Sequence, residues 1–210
     1  MATAVKICGI TRIEDGRAAA MCGAHAVGIV FHPASPRCVS LDHARAIVRA
    51  LPPFVTAVGL FVDVPAETVR ATLARVPLQL LQFHGEEPAA YCGAFGLPYI
   101  KAVRVLPGVD LVKCAAVYAD AQGLLLDAYV EGVPGGTGAI FDWGLIPAEL
   151  PLPVVLSGGL NPENVNEAVR RVRPWAVDVS SGVEADKGIK DHTKIARFIA
   201  GVRNADVRLA

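Results

Sequence analysis

The stretch VKICGIT, residues 5–11, indicates how this chain folds. Its short apolar run predicts a strand, and Cys8 would lie at the carboxyl end of that strand. Thr11 and Glu14 have the spacing of a capping box, so a helix is expected to begin directly after the turn. The stretch therefore predicts a strand–turn–helix unit. A thiol at such a turn is either a small buried hydrophobe or a reactive group.

The same alternation of strand and helix repeats along the whole chain. Eight apolar runs are separated by segments with helical spacing, such as Val165, Val169 and Val172. Strands that are apolar throughout are buried on both faces, as in a parallel sheet covered by helices. Eight such units predict an α/β fold, with one (β/α)8 TIM barrel domain over residues 1–210. The predicted strands are 5–8, 26–31, 56–62, 78–84, 99–105, 123–127, 154–157 and 176–180.

Composition narrows the class of protein. Of the 210 residues, 53% are hydrophobic and 19% are charged, which favours a large core over disorder. The 20 basic and 20 acidic residues cancel, which argues against a nucleic-acid partner. The sequence has neither the pattern of a secretion signal nor a run as long as a membrane span, so a cytoplasmic protein is expected. The five cysteines do not have the spacing of zinc ligands.

Polar side chains are concentrated at the predicted carboxyl ends of the strands. In a (β/α)8 barrel these ends meet at one face, where the active sites of such enzymes lie. The opposite ends are mostly apolar or bordered by proline. Because any strand must end in a turn, this asymmetry supports a site without establishing one. The polar residues are Cys8, His32 to Arg37, Asp63, His84, Arg104, Asp127, Ser157 and Ser180.

Two glycine-containing turns, at residues 156–162 and 179–184, follow the seventh and eighth strands. Glycine lets backbone N–H groups approach an anion, and barrels of this class often bind phosphate at these two loops. Alternatively, the glycines only form tight turns. The sequence contains no nucleotide-binding fingerprint, so the expected phosphate belongs to a small substrate. The candidate phosphate-binding residues are Gly158, Gly159, Ser180, Ser181 and Gly182.

Eight motifs run in order from the first strand to the last helix. They are VKICGIT at 5–11, SPR at 35–37, LFVD at 60–63, LQFHG at 81–85, LLLD at 124–127, GGTG at 135–138, LSGGL at 156–160 with NV at 164–165, and VDVSSGVE at 177–184 with KG at 187–188 and KD at 190–191. Together they resemble the phosphoribosylanthranilate isomerase family. The resemblance implies a (β/α)8 barrel of tryptophan biosynthesis that uses neither a metal nor an organic cofactor. Its substrate, N-(5-phosphoribosyl)anthranilate, would be converted to 1-(2-carboxyphenylamino)-1-deoxyribulose 5-phosphate by an Amadori rearrangement.

The resemblance also implies roles for two catalytic side chains. Asp127 would be the general acid that protonates the ribose ring oxygen, and Cys8 the general base that removes the C2 proton. For this chemistry the pKa of Asp127 has to be raised, whereas that of Cys8 has to be lowered.

Three further side chains are candidates for substrate binding. The resemblance places Arg37 against the anthranilate carboxylate, although a loop arginine can also be merely solvated. His84 would line the pocket or would be a hydrogen-bonded core histidine. Asp178 needs a partner inside a barrel, and Lys6 is one such partner.

Other interpretations stay open at this point. A non-catalytic phosphate-binding barrel would tolerate substitution of Cys8 and Asp127. Among related sugar-phosphate barrel enzymes, indole-3-glycerol-phosphate synthase uses a lysine acid and glutamates, and a dual-substrate isomerase would carry an aspartate in place of Cys8. The expected partner is a small-molecule substrate, neither nucleic acid nor membrane, and the chain is expected to be a monomer or a weak homodimer.

Overall fold

Eight parallel strands close into a barrel in the computed structural model, which describes residues 2–128 and 142–207. Strand β1 pairs with β2 on one side and with β8 on the other, which closes the sheet and confirms the predicted barrel. All eight predicted strands are present, with ends that differ by at most two residues. They are β1 Ala4–Ile7, β2 Ala26–Val30, β3 Thr56–Phe61, β4 Leu80–Phe83, β5 Tyr99–Val105, β6 Gly123–Ala128, β7 Val154–Leu156 and β8 Ala176–Val179.

The helices lie between the strands in sequence and bury one apolar face each. In the last helix the predicted residues Ile195, Phe198, Ile199 and Val202 are all buried. The GGTG motif at 135–138, between β6 and β7, lies outside the described residues. The helices are α1 Ile13–Cys22, α2 Leu41–Arg49, α3 Ala66–Arg75, α4 Ala89–Cys92, α5 Leu111–Val117, α6 Val165–Val172 and α7 His192–Val207. None of them is long and apolar enough to cross a membrane.

The main core lies between the barrel and the helices, because alternate residues of each strand point outward. In β1, Val5 and Ile7 pack in this outer core, whereas Lys6 and Cys8 lie on the opposite side of the strand. At the amino-terminal end of the barrel, an apolar cavity is lined in part by Lys6, Leu80 and Ile100. The polar residues that follow the strands line a second cavity at the other end.

A short antiparallel hairpin follows β8 and was not predicted from the sequence. It consists of β9 (Glu184–Asp186) and β10 (Ile189–Lys190). The predicted capping box at the start of α1 is wrong, because the hydroxyl of Thr11 donates instead to the carbonyl of Gly188 in this hairpin. Helix α1 begins at Ile13 without a side-chain cap. The hairpin therefore packs directly on the turn that follows β1.

Asp15, in the first turn of α1, holds the hairpin of β9 and β10 in place. Its buried carboxylate accepts hydrogen bonds from Arg12 at 2.9 and 2.7 Å and from His192 Nε2 at 2.8 Å. It also accepts from the backbone N–H of Lys190 at 3.1 Å. Burial acts to raise the pKa of Asp15, but these donors outweigh it and hold the pKa below its usual range. Asp15 thus connects α1, the hairpin and α7.

Candidate active site

A cavity opens at the carboxyl ends of the strands and contains nearly all of the predicted site residues. Its lining includes Cys8, Arg37, His84, Asp127, Asp178, Gly158, Gly159, Ser180 and Ser181. Gly182 is not part of the lining. A Cβ at Gly182 would collide with the carbonyl oxygen of Leu160, so this glycine allows the loops after β7 and β8 to pack together.

Cys8 follows β1 and is 5% exposed at the floor of this cavity. Gly28 on β2 provides the space for it, since a Cβ there would lie 2.6 Å from the sulfur and 3.2 Å from Cε of Lys6. Burial raises the pKa of the Cys8 thiol above its ordinary value, while the ammonium of Lys6 acts in the opposite direction. The direction is opposite to the lowered pKa expected of a base, because burial outweighs the neighbouring cation.

Lys6 and Asp178 form a buried ion pair, which confirms their predicted pairing. The two residues are direct neighbours in the β1–β8 register, and Lys6 Nζ lies 2.8 Å from Asp178 Oδ1. Ser157 Oγ donates to Asp178 Oδ2 at 3.4 Å. Burial acts to lower the pKa of Lys6, but Asp178 and Cys8 raise it above the ordinary value. The pair therefore places an ammonium group beside Cys8.

Asp127, at the end of β6, is held by a chain of hydrogen bonds. Its Oδ2 lies 3.1 Å from His84 Nε2, and Oδ1 accepts from the N–H of Ala128 at 2.9 Å. Gln82 Nε2 lies 2.9 Å from His84 Nδ1, so Nδ1 accepts and Nε2 carries the proton donated to Asp127. His84 is thus both a pocket residue and a hydrogen-bonded histidine.

The direction of the hydrogen bonds from Gln82 through His84 to Asp127 depends on the side-chain amide of Gln82. Its Oε1 is buried and has no hydrogen-bond partner among residues 2–128 and 142–207. With the amide rotated by 180°, Oε1 would face Nδ1 of His84, and Nε2 would carry no proton for Asp127. The present orientation is therefore the one in which His84 donates to the Asp127 carboxylate.

Arg37 is held in place by Glu184 and is not a solvated loop arginine. Its Nε and Nη2 donate to Oε1 and Oε2 of Glu184, both at 2.7 Å, and its side chain is only 13% exposed. Lys190 Nζ, which is fully buried, lies 2.8 Å from Glu184 Oε1. Burial acts to raise the pKa of Glu184, but Arg37 and Lys190 outweigh it and lower the pKa. A Cβ at Gly9 would collide with Cδ of Arg37.

The predicted phosphate end of the site lies on the loops after β7 and β8. Gly158 and Gly159 have φ values of 82° and 63°, which other residues rarely adopt. Ser180 is connected to the Arg37 side of the cavity, since Lys190 Nζ donates to its carbonyl at 3.0 Å and to its Oγ at 3.4 Å. These turns thus require glycine for their geometry alone, and phosphate binding stays a prediction.

Several side chains at the site were missed by reasoning from the sequence. Gln82 lies two residues before His84, so strand alternation alone would place it on the same side. Glu184 and Lys190 fall within quoted motifs, but nothing in their spacing assigns them to Arg37. Within the described ranges, no group of three His, Cys, Asp or Glu side chains is placed to hold a metal ion.

Comparison with known proteins identifies similar chains. A family model described as N-(5'phosphoribosyl)anthranilate (PRA) isomerase matches residues 5–201. The N-(5'-phosphoribosyl)anthranilate isomerase of Thiobacillus denitrificans is 64% identical over 200 residues, which cover 95% of this chain and 98% of the relative. The similarity extends from the first strand into the last helix.

Two solved structures share the fold and much of the sequence. Phosphoribosyl anthranilate isomerase from Thermotoga maritima matches with a TM-score of 0.87 and 43% identity, covering 96% of this chain and 99% of that one. A structure of such an isomerase in complex with reduced 1-(o-carboxyphenylamino)-1-deoxyribulose 5-phosphate has a TM-score of 0.85 and 44% identity, with coverage of 96% and 99%. Both chains are therefore similar to this one along nearly their full lengths.

Proposed function

Since the chain belongs to the phosphoribosylanthranilate isomerase family, we propose that it isomerises N-(5-phosphoribosyl)anthranilate with Asp127 as general acid and Cys8 as general base. Its class, an isomerase of tryptophan biosynthesis, follows from the family. The assignment of the two residues depends on one observation. Cys8 and Asp127 line the same cavity, from β1 and β6, and each contacts a group that influences its proton.

The acid acts first in the proposed sequence. Asp127 protonates the ring oxygen of the ribose, the bond from C1 to that oxygen breaks, and C1 becomes part of an iminium ion. His84 supports this step because, with Nδ1 accepting from Gln82, its Nε2–H donates across 3.1 Å to the carboxylate that the transfer produces. A hydrogen bond to the charged form stabilises the carboxylate that the transfer produces.

The base acts second. In its thiolate form Cys8 takes the proton from C2 and becomes a thiol, which gives an enolamine that tautomerises to the ketose. The thiolate has to be present before this transfer, and the iminium ion places a positive charge next to the atom that loses the proton. That charge and the Lys6 ammonium both favour the thiolate over the thiol. The positive charge formed in the acid step therefore prepares the base step.

The two ends of the substrate have separate partners in the proposal. Arg37 binds the anthranilate carboxylate, and the backbone of the loops after β7 and β8 binds the phosphate. His84 and Asp178 act from the cavity wall through Asp127 and Lys6. The complex of a related isomerase with reduced 1-(o-carboxyphenylamino)-1-deoxyribulose 5-phosphate supports a substrate with these two ends.

A steady-state assay tests the proposal. Phosphoribosylanthranilate is generated in place, and the loss of its anthranilate-type fluorescence is followed. Cys8→Ser and Asp127→Asn are each expected to lower turnover by about 100- to 10,000-fold, the usual contribution of a general acid or base. Cys22→Ser, at the end of α1, is the control and should keep the parental rate.

The outcomes separate the open interpretations. A nearly parental rate in either site variant would remove that residue from the mechanism. A folded parent protein without activity would favour a non-catalytic phosphate-binding barrel or a different sugar phosphate. Circular dichroism of every variant shows whether a lost rate reflects chemistry or folding.

A further inference from the structure

We propose that Glu184 is a specificity-determining positioning residue, which holds the guanidinium of Arg37 in the one orientation that receives the carboxylate of the substrate. This inference rests on the proposed function, in which Arg37 binds that carboxylate. Glu184 itself would not touch the substrate. It would act by fixing the direction of the hydrogen-bond donors that do.

The contact between Glu184 and Arg37 uses one edge of a rigid group. A guanidinium is planar, and four of its five N–H donors lie along two edges that can each bind a carboxylate bidentately. Glu184 occupies the edge formed by Nε and Nη2, with both distances at 2.7 Å. No other described side chain or backbone group accepts a hydrogen bond from this guanidinium, so the edge formed by the two terminal nitrogens is left for a second carboxylate. Anchoring one edge determines where the other points.

The charges of this cluster also indicate a second anion. Arg37 and Lys190 carry two positive charges, and Glu184 supplies one negative charge between them. The three side chains are 13%, 0% and 6% exposed, so water compensates little of the difference. Asp178 is already paired with Lys6. A monoanionic group such as an aromatic carboxylate would balance the remaining positive charge.

Other contacts hold Glu184 and Arg37 in place on both sides of their ion pair. Lys190 Nζ donates to Glu184 and also to the carbonyl and hydroxyl of Ser180, so all three ammonium protons have partners. Glu184 therefore does not depend on Arg37 alone for its position. Gly9, with φ 71°, has no Cβ and therefore leaves room for the Cδ methylene of Arg37. The guanidinium is thus fixed at its stem and at one edge before any ligand arrives.

Calorimetric titration with two ligands tests this inference. The first ligand is reduced 1-(o-carboxyphenylamino)-1-deoxyribulose 5-phosphate, and the second is the same compound without the carboxyl group. Glu184→Gln retains the shape of the side chain but replaces one acceptor oxygen with a donor. It is expected to weaken binding of the carboxylated ligand about 10- to 100-fold, the range for hydrogen bonds to charged groups. Binding of the carboxyl-free ligand should change less than about 2-fold. Arg37→Lys is the matched variant and should show the same selectivity.

Each outcome has a defined meaning. Equal loss for both ligands, or no loss for either, overturns the role of Glu184. Selective loss in Arg37→Lys alone also overturns it, while the assignment of Arg37 stands. If neither variant is selective, Arg37 does not bind the carboxylate and the inference fails with it.

A parent protein that binds neither ligand contradicts the proposed function itself. Should Glu184→Gln not fold, Glu184→Asp keeps the charge but shortens the reach, and the same selective loss is expected.

Discussion

Cys8 lies where a base is expected, in surroundings that disfavour its charged form. Its sulfur is enclosed by apolar side chains, including Val30 and Leu60, and by the bare backbone of Gly28. Two cations oppose this effect, the ammonium of Lys6, which is held by Asp178, and that of Lys190. Burial nevertheless keeps the fraction of thiolate at Cys8 below that of an ordinary cysteine.

The reactivity of Cys8 should therefore depend steeply on pH. Because only the thiolate is alkylated, its reaction with iodoacetamide is expected to accelerate with pH and to reach half of its maximum above the ordinary thiol value of 9.0. Lys6→Met removes a cation that favours the thiolate, so the pH of half-maximal alkylation should rise further. Mass spectrometry of the Cys8 peptide measures both rates. A half-maximal rate below pH 8 would contradict the direction given by burial, and the Cys22 peptide of the same digest is the internal reference.

At this scale the sequence predicts which residues meet but not all of their partners. Cys8, Asp127, His84, Arg37 and Asp178 all lie at the cavity because each is near the carboxyl end of a strand or in the loop that follows one. Glu184 was missed because its contact with Arg37 joins positions 147 apart in sequence, and no local pattern encodes such a pair. The pKa of Cys8 was missed for a related reason, since burial depends on the packing of several strands.

At the scale of elements, the hairpin of β9 and β10 depends on Asp15. Asp15→Asn is expected to destabilise the fold by about 1–3 kcal/mol, the cost of disturbing a buried hydrogen-bonded group, because the amide cannot accept from all of its present donors. Urea unfolding measures the loss, and hydrogen exchange of residues 184–190 should show faster opening of the hairpin. Asp42→Asn is the control, since Asp42 forms an exposed ion pair with Arg75 and should change stability by less than about 1 kcal/mol. Equal effects in the two variants would refute the anchoring role.

The apolar strands of the barrel could be predicted, and the polar strands of the hairpin could not. A strand buried on both faces is recognisable as a continuous apolar run, which is why all eight barrel strands were found. Strands β9 and β10, with the sequences EAD and IK, contain no apolar run, whereas the equally short β7 was found because its sequence is VVL. The capping box failed because the same Thr11 hydroxyl has a long-range partner in that hairpin. Prediction from local sequence patterns failed where an unpredicted element supplied a tertiary contact.

At the scale of the whole molecule, buried carboxylates with cationic partners make the fold sensitive to acid. Asp15 and Glu184 both have pKa values lowered by their partners. A carboxyl group with a lowered pKa in the folded state stabilises the protein above its unfolded pKa, and this contribution is lost as pH falls through the folded pKa. The melting temperature should thus be constant down to about pH 5 and fall steeply below about pH 4. Melting curves from pH 7 to pH 3 check this.

Variants locate the source of the acid sensitivity. Asp15→Asn and Glu184→Gln should melt lower at pH 7 but lose less on acidification, because each lacks one of the protonating groups. If the variants fall in parallel with the parent protein, other carboxyl groups carry the effect.

The closed barrel was the part of the fold that the sequence predicted best. No single residue specifies closure, but eight strands buried on both faces have no edge to leave exposed. The register of β1 with β8 completes the ring. The positions of residues 129–141 fall outside this test, and with them one of the eight motifs.

The Lys6–Asp178 pair also separates the two ends of the barrel interior. Lys6 borders the apolar cavity at the amino-terminal end of the barrel, and Asp178 borders the cavity at the carboxyl end. The ion pair therefore lies across the barrel between the two cavities. Among the described residues the two cavities do not join at this pair. A product of the proposed reaction would occupy the same cavity as the substrate, so product inhibition is expected to be competitive.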